Sequence, residues 1–353
     1  MYPSFIAVHC GAGVHSSEYH SVYNRLCKQA CLKGMESMKN GGSALEAVRD
    51  AIILLENHPR ANCGFGSNLT MNGEVENDAS IMNGKTLLYG GCGAVKRLKN
   101  PIQLAYDLCI KQTQANVLGL IPPSLLVGSG ALSYARSIGL KTVSNNALIS
   151  SHSASRHRKY HDLYKESCRT EEQNLLFDTV GAVCMDSSGN FAAASSSGGI
   201  ILKKSGRVGQ GALYASGTWA DSSNKETEPS IAVCTSGCGE YLVRTQLAKE
   251  VADDLKATEC PTTGLYKSLT EKFMESKFLQ NVDQKLCGVL VLIKKNDEVS
   301  FLWGHSSETM SIGYMKSDQT KPSAFISELP VRSRVGRIVN VGGHHYSVAQ
   351  DTQ

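Results

Sequence analysis

Apolar positions in this chain come in short runs separated by glycine, and their period changes from one run to the next. Phe5-Ile6-Ala7-Val8 is continuously apolar and passes through His9 into Cys10-Gly11-Ala12-Gly13, which predicts a buried strand over 5–9 and then a tight turn. A helix is predicted over about 18–39, ended by Gly41-Gly42. Ser43 and Glu46 have the spacing of a capping box. The helix they open carries Leu45, Val48, Ile52 and Leu55 on one face and stops before Pro59. Two short strands are expected around the hairpin turn Asn72-Gly73. Asn100-Pro101 opens a helix to about 112, and a further helix is expected over 122–138.

The stretch 146–176 differs in kind. It has few large apolar residues, many Ser, His, Arg, Lys and Glu, and no clear period, so it reads as an exposed, mobile segment. Its basic group Arg156-His157-Arg158-Lys159 suits a solvated loop or a nuclear-import signal. Order returns at Asp178, with strands predicted over 180–185 and 191–195 around the turn 186–190. Helical signals cover 239–256 and 263–276, and strands return at 288–293 and 299–303. Strands then helices then strands, twice over, predict an α+β protein with two sheets between helical layers.

Composition narrows this further. A chain of 353 residues, 41% hydrophobic, with 33 Gly, is long enough to bury a substantial core. A net charge of +4 makes no case for nucleic-acid or membrane partners. The N-terminus does not read as a signal peptide, and no window approaches the ~18 apolar residues of a membrane span. The 12 cysteines include Cys27/Cys31 and Cys234/Cys238, four apart, without a second pair or histidine to complete a metal set. Reduced thiols, an intracellular location in nucleus or cytoplasm, and no metal or other cofactor are therefore expected.

The candidate chemistry lies at the border between polar segment and buried strand. Were the Asp178–Thr179 bond to break, Thr179 would gain an α-amino group with a reference pKa near ~8, able to act as a base beside its own hydroxyl. A threonine opening a strand is by itself a structural residue. The company it keeps changes that reading. Ser195-Ser196-Ser197-Gly198-Gly199, Gly206-Arg207-Val208-Gly209-Gln210 and Thr235-Ser236-Gly237-Cys238-Gly239-Glu240 follow. Small hydroxyls and glycines expose backbone N–H groups, as an oxyanion site requires. Arg207 among glycines suits a two-pronged carboxylate clamp, although a surface salt bridge fits it equally when taken alone. The G-x-S-x-G elbow is absent, and the sequence offers no convincing Ser-His-Asp or Cys-His set.

These segments, together with His9-Cys10-Gly11-Ala12-Gly13, Asn62-Cys63-Gly64-Phe65-Gly66-Ser67 and Asp78-Ala79-Ser80-Ile81-Met82, resemble the N-terminal-nucleophile (type 2) asparaginase family in the family's own order from about residue 5 to 315. The resemblance implies a four-layer αββα sandwich. It also implies self-cleavage into halves 1–178 and 179–353 and a dimer of cleaved halves, a heterotetramer. Carried over by position, Thr179 is the nucleophile, Asp178 the residue cut from it, and Ser197 a second hydroxyl beside it. Ser236 and the Gly237 backbone match the oxyanion positions. Arg207 binds the substrate carboxylate, and Gln210 and Gly239 lie against the substrate.

Within the family, Ile121 to Gly128, Thr235 to Glu240 and Phe301 to Met315 look most like the threonine aspartase (taspase) branch, which implies an endopeptidase cutting protein substrates after aspartate at Asp-Gly sites. Asparaginases and isoaspartyl dipeptidases place an Asp three residues after the arginine, to pair an α-ammonium. Here that position is Gln210, which favours a peptide chain, with Asp178 expected to mimic the substrate's aspartate before the cut. Cys10 and Asn83 depart from the family's motifs. The rival readings are an asparaginase or isoaspartyl dipeptidase that keeps the family's substrate, and an uncut scaffold that binds acidic segments without cleaving them.

Overall fold

The structure, a computed structural model, describes residues 2–114, 117–166, 178–223, 225 and 228–347. Strand β1 (Phe5–Gly13) leads into helices α1 (His20–Lys39) and α2 (Ala44–Glu56). Strands β2 (Asn77–Asn83) and β3 (Leu88–Val95) follow, then α3 (Pro101–Lys111), β4 (Leu125–Val127), α4 (Gly128–Ser137) and α5 (Ser151–Glu166). Beyond Asp178 come β5 (Val180–Met185), β6 (Phe191–Ser197), β7 (Thr218–Asp221) and β8 (Ser230–Gly237). Helices α6 (Gly239–Thr245), α7 (Leu247–Ala257) and α8 (Pro261–Ser268) precede β9 (Cys287–Lys295), β10 (Glu298–His305), β11 (Thr309–Lys316), β12 (Ser323–Glu328) and β13 (Asn340–Ser347).

Among the described residues the strands form one sheet ordered β12-β11-β1-β5-β6-β2-β3-β4 and a second ordered β13-β10-β9-β8-β7. Alternation along each strand sends side chains to opposite faces. Ile6, Val8, Ala182, Cys184 and Ile81 pack with Leu26, Val48, Ile52 and Leu104 of α1 to α3. From the same strands Phe5, Ala7, Val183 and Ala193 point the other way and meet Leu290, Leu292 and Phe301 of the second sheet. The outer face of that sheet carries Ile231, Val233 and Val291 against Leu247, Val251 and Leu265 of α7 and α8. The order helix, sheet, sheet, helix is the expected sandwich.

The capping box holds as predicted, with Glu46 N bonded to Ser43 Oγ and Ser43 N to Glu46. Several expectations need correction. Residues 122–138 contain a short strand, β4, before the helix α4. The strands expected around Asn72-Gly73 reduce to a single bridge, Leu69 to Val75. Strand β3 carries a weak strand signal because close packing demands glycine in its middle: a Cβ at Gly90 would strike the Ala105 carbonyl of α3, and one at Gly93 would strike Val208. The helix expected over 239–256 breaks at Gln246, which adopts φ +47°. The next one runs from Pro261 and loosens into a π-turn over 269–274.

The largest correction concerns 146–176. Residues 151–166 form α5, and the Ser150 hydroxyl caps it by accepting from Ser153 N at 3.0 Å. Only Ser153 of this helix is fully buried, so no apolar stripe marks it. The basic group lies within the helix, where His157 bonds the Thr70 carbonyl at 3.1 Å. The rest of that expectation, 167–177, lies outside the described residues.

One buried polar group ties α2 to the strand beside the site. Glu56, closing α2, accepts from Ser196 Oγ at 2.7 Å and Ile102 N at 3.0 Å. Burial raises its pKa from 4.5 to about 8 against those hydrogen bonds. The folded chain therefore binds a proton that the unfolded chain releases between these values, so this group lowers stability as pH rises toward 8. Between pH 6.5 and 8, urea midpoints of Glu56→Gln should fall less with pH than those of the parent chain. Parallel slopes would show that Glu56 is already ionised in the fold.

Candidate active site

Thr179 sits just before β5, 3% exposed, at the end of a strand held between β1 and β6. The β5–β6 pairing sets Val180 opposite Ser196, which brings Thr179 level with Ser197. The Thr179 hydroxyl donates to Ser197 Oγ at 3.0 Å and accepts from Gln210 Nε2 at 2.7 Å. Ser197 Oγ also accepts from Gly199 N at 3.0 Å. The threonine proton thus points at a second hydroxyl, and the amide fixes the oxygen from the other side. Behind it the Ser236 hydroxyl donates to the Thr179 carbonyl at 3.1 Å and accepts from Ala12 N at 3.1 Å.

A small pocket opens on this threonine, lined by Asn62, Asp178, Thr179, Ser197, Gly199, Ile200, Arg207, Gln210, Gly237 and Gly239. Six of the sequence-derived positions (Thr179, Ser197, Arg207, Gln210, Gly237 and Gly239) therefore converge on it with Asp178. Ser236 stands behind the wall, gripping the Thr179 carbonyl. A Cβ at Gly239 would meet both Arg207 and the Gln210 side-chain oxygen, so glycine there keeps the pocket floor open.

Arg207 extends both prongs to Glu240, in the first turn of α6, with Nε at 2.8 Å and Nη2 at 2.7 Å. Burial opposes the Glu240 carboxylate, but Arg207 overrides it and holds its pKa below the usual value. Asp178 is not on this arginine. Its Oδ1 is buried without a hydrogen-bond partner, and its side chain presses on Gly11, whose φ of +115° and lack of a Cβ make room for it. The expected mimicry of a bound substrate by Asp178 is therefore absent in this arrangement, because Glu240 occupies the clamp.

Sequence reasoning assigned no role to several residues that build the site. Asp78 receives Gly209 N at 2.8 Å and Ala94 N at 2.9 Å, and Glu76 receives Gly206 N at 2.8 Å. Together they hold both ends of the Arg207 loop. Lys203, 1% exposed, donates to the Glu76 carbonyl at 2.6 Å, its pKa lowered by burial in spite of Asp78 and Glu76 nearby. Asn62 bonds the Gly199 carbonyl at 2.9 Å and accepts from Asn68 N at 2.8 Å. The Asn62 and Asp78 motifs were visible in the chain. Their roles were not, because a carboxylate that accepts backbone N–H groups has no spacing signature. Among the described residues no cluster of His, Cys, Asp or Glu could hold a metal ion, and no helix is long and apolar enough to cross a membrane.

Comparison with known proteins agrees with this geometry. The sequence model of the family described as Asparaginase matches residues 2–324. The chain is similar to an isoaspartyl peptidase/L-asparaginase of Xenopus laevis, 33% identical over 314 residues that cover 89% of this chain and 93% of the relative. It is similar to the Bos taurus protein of the same name, 36% identical over 79% of this chain and 82% of the relative. A plant-type L-asparaginase of Pyrococcus furiosus is 30% identical over 90% of this chain and 98% of its own length. With the pocket built on Thr179 and the family match spanning nearly the whole chain, this protein belongs to the type 2 asparaginase family and is a hydrolase of the N-terminal-nucleophile kind.

Proposed function

We propose that the chain cuts itself between Asp178 and Thr179 and then hydrolyses protein substrates after aspartate, with Thr179 as nucleophile. The observation that carries the self-cleavage is the Thr179 hydroxyl, fixed between Ser197 and Gln210 in a pocket that also holds Asp178. Thr179 Oγ1 attacks the Asp178 carbonyl, the Thr179 N–C bond breaks as the ester forms, and the hydroxyl proton ends on the freed amine. Water then splits the ester, leaving Asp178 with an α-carboxylate and Thr179 with its hydroxyl. In turnover the amine takes the Thr179 proton, an acyl-enzyme forms and water releases it. Ser236 fixes the Thr179 carbonyl in this state, and rotation about its χ1 aims the same proton at the developing oxyanion beside Gly237.

The substrate class rests on Gln210. Its amide nitrogen is spent on Thr179, which leaves a neutral oxygen toward the substrate, and among the pocket-lining residues the only carboxylate belongs to Asp178 itself. A free α-ammonium bound there would lack a counter-charge and pay for its desolvation. A backbone amide of a peptide chain carries no such cost. Arg207 then reads the side-chain carboxylate of the residue before the cut, displacing Glu240. The names of the relatives favour a second reading, hydrolysis of β-aspartyl dipeptides or asparagine, in which this pocket accepts a free amino acid end.

Two experiments test this. Thr179→Ala is expected to abolish both the split into 1–178 and 179–353 and all turnover, followed by mass spectrometry; a variant that still splits at this bond refutes the mechanism. Incubated with equal amounts of an acidic Asp-Gly peptide and a β-aspartyl dipeptide, the protein should consume the peptide. Gln210→Asp should shift preference toward the dipeptide by roughly tenfold or more, since it restores a counter-charge for the ammonium. Consumption of the dipeptide alone by the parent chain establishes the second reading.

A further inference from the structure

Beneath the pocket, the end of β8 rests on the backbone that leads into β9. Gly237 faces Cys287 across the ladder, and Cys238 N donates to the Leu286 carbonyl at 3.0 Å. In an antiparallel pair, that bond makes Gly237 and Cys287 a couple without mutual hydrogen bonds. The Gly237 N–H is therefore turned away from β9, and Gly237 lines the Thr179 pocket. The fit is tight. With φ at +123°, a Cβ on Gly237 would strike the Leu286 carbonyl and come within 2.8 Å of Cys287 Cα. Any shift of 285–287 is thus passed on to the Gly237 peptide.

Two residues from later parts of the chain hold 285–287. The hydroxyl of Ser306, fully buried just after β10, accepts from Cys287 N at 2.9 Å and donates to the Lys285 carbonyl at 2.6 Å. Its backbone N–H donates to the Cys287 carbonyl at 2.9 Å. Gly336, in the loop between β12 and β13, closes the other side. Its N–H donates to the Ser306 carbonyl at 2.8 Å, and its carbonyl accepts from Lys285 N at 3.0 Å. Glycine suits this position because φ is +72° and a Cβ would come within 2.9 Å of Lys285 N. The neighbouring Val335 packs, with Ile200, on the pair Cys238 and Leu286, and Ile200 lines the pocket. Gly336 lies past residue 324, where the match to the family model ends.

We propose that Ser306 and Gly336 are positioning residues for the oxyanion site, holding 285–287 so that the Gly237 N–H keeps its aim into the Thr179 pocket. The proposal rests on the reading above of Thr179 as nucleophile with the oxyanion beside Gly237. Neither residue touches the substrate, and their effect passes through backbone alone. An N–H stabilises an oxyanion only when it is preorganised, and a misplacement of ~1 Å can cost on the order of a hundredfold in rate. Ground-state contacts come from Arg207 and Gln210, whose loop is held by Asp78 and Glu76. Loosening the clamp on 285–287 therefore appears in kcat and spares KM.

The test compares the parent chain with Ser306→Ala, Gly336→Ala and Ser306→Thr, and with Val331→Ser at an exposed position of the same loop. Mass spectrometry counts the molecules split at 178/179, so that rates refer to them. Steady-state kinetics use the aspartyl peptide or the β-aspartyl dipeptide, whichever the parent consumes. Both alanine variants should lower kcat by about tenfold or more with KM within about twofold. Ser306→Thr, which keeps the hydroxyl, should recover most of the loss, and Val331→Ser should match the parent. Hydrogen exchange, measured without substrate, should quicken over 236–240 in Ser306→Ala and stay unchanged at the start of β8. An unchanged kcat in both alanine variants overturns the proposal, as does a loss that falls equally on KM. Exchange over 236–240 that keeps the parent's rate overturns it too. A parent chain that hydrolyses neither substrate overturns the nucleophile reading and the oxyanion role with it, while exchange still reports whether the clamp holds.

Discussion

The Thr179 hydroxyl can keep one position only if its strand cannot drift, and the pairing of β5 with β6 does that holding. Val180 faces Ser196 in the ladder, so Thr179 and Ser197 share a level and their hydroxyls bond at 3.0 Å. A slip of one residue would turn Thr179 to the opposite face of the sheet. Such slippage is blocked from both faces, by Val48 and Ile52 of α2 on one side and by Leu290 and Leu292 on the other. The alanines of β6, Ala192 to Ala194, let these layers close around the site without crowding it.

The same economy governs the Arg207 loop. Its glycines contribute no side chains to hold the loop, while Arg207 and Gln210 from it lie against Gly239. Asp78 and Glu76 supply that grip through backbone N–H groups at either end. Lys203 balances some of their charge from inside the core, while burial pushes the Asp78 pKa upward in spite of it. The loop's rigidity therefore comes from buried ionisable groups supplied by another part of the chain. Glu240 completes the arrangement by accepting from both Nε and Nη2 of the arginine.

The sandwich and most of its strands were legible because the apolar periods are clean in β1, β5 and α2, and because the small-residue motifs fall in an order specific to one family. The pocket positions Thr179, Ser197, Arg207, Gln210, Gly237 and Gly239 were legible for the same reason. What stayed hidden had physical causes. Strand β3 trades its side chains for contact with α3. Helix α5 has too narrow a buried edge to show a period, so its serine cap was the only local sign. The partnership of Arg207 with Glu240 joins residues 33 apart in sequence, and nothing in the composition of either segment marks the link.

The strand order has a consequence for the life of the molecule. Strands β5 and β6, which follow the Asp178–Thr179 bond, lie between β1 and β2, which precede it, and β11 and β12 extend the same sheet beyond β1. The two sides of that bond are thus shuffled like a hand of cards, and each lends the other its hydrogen-bond ladder. Cutting the bond cannot let the pieces fall apart without tearing the sheet. A polypeptide made as one chain can search out this arrangement as a single cooperative unit, whereas two separated pieces would have to find it by collision, each with its strand edges bare. Connectivity at this bond thus favours assembly, while the ladders that join the two sides of the finished sheet do not run through it.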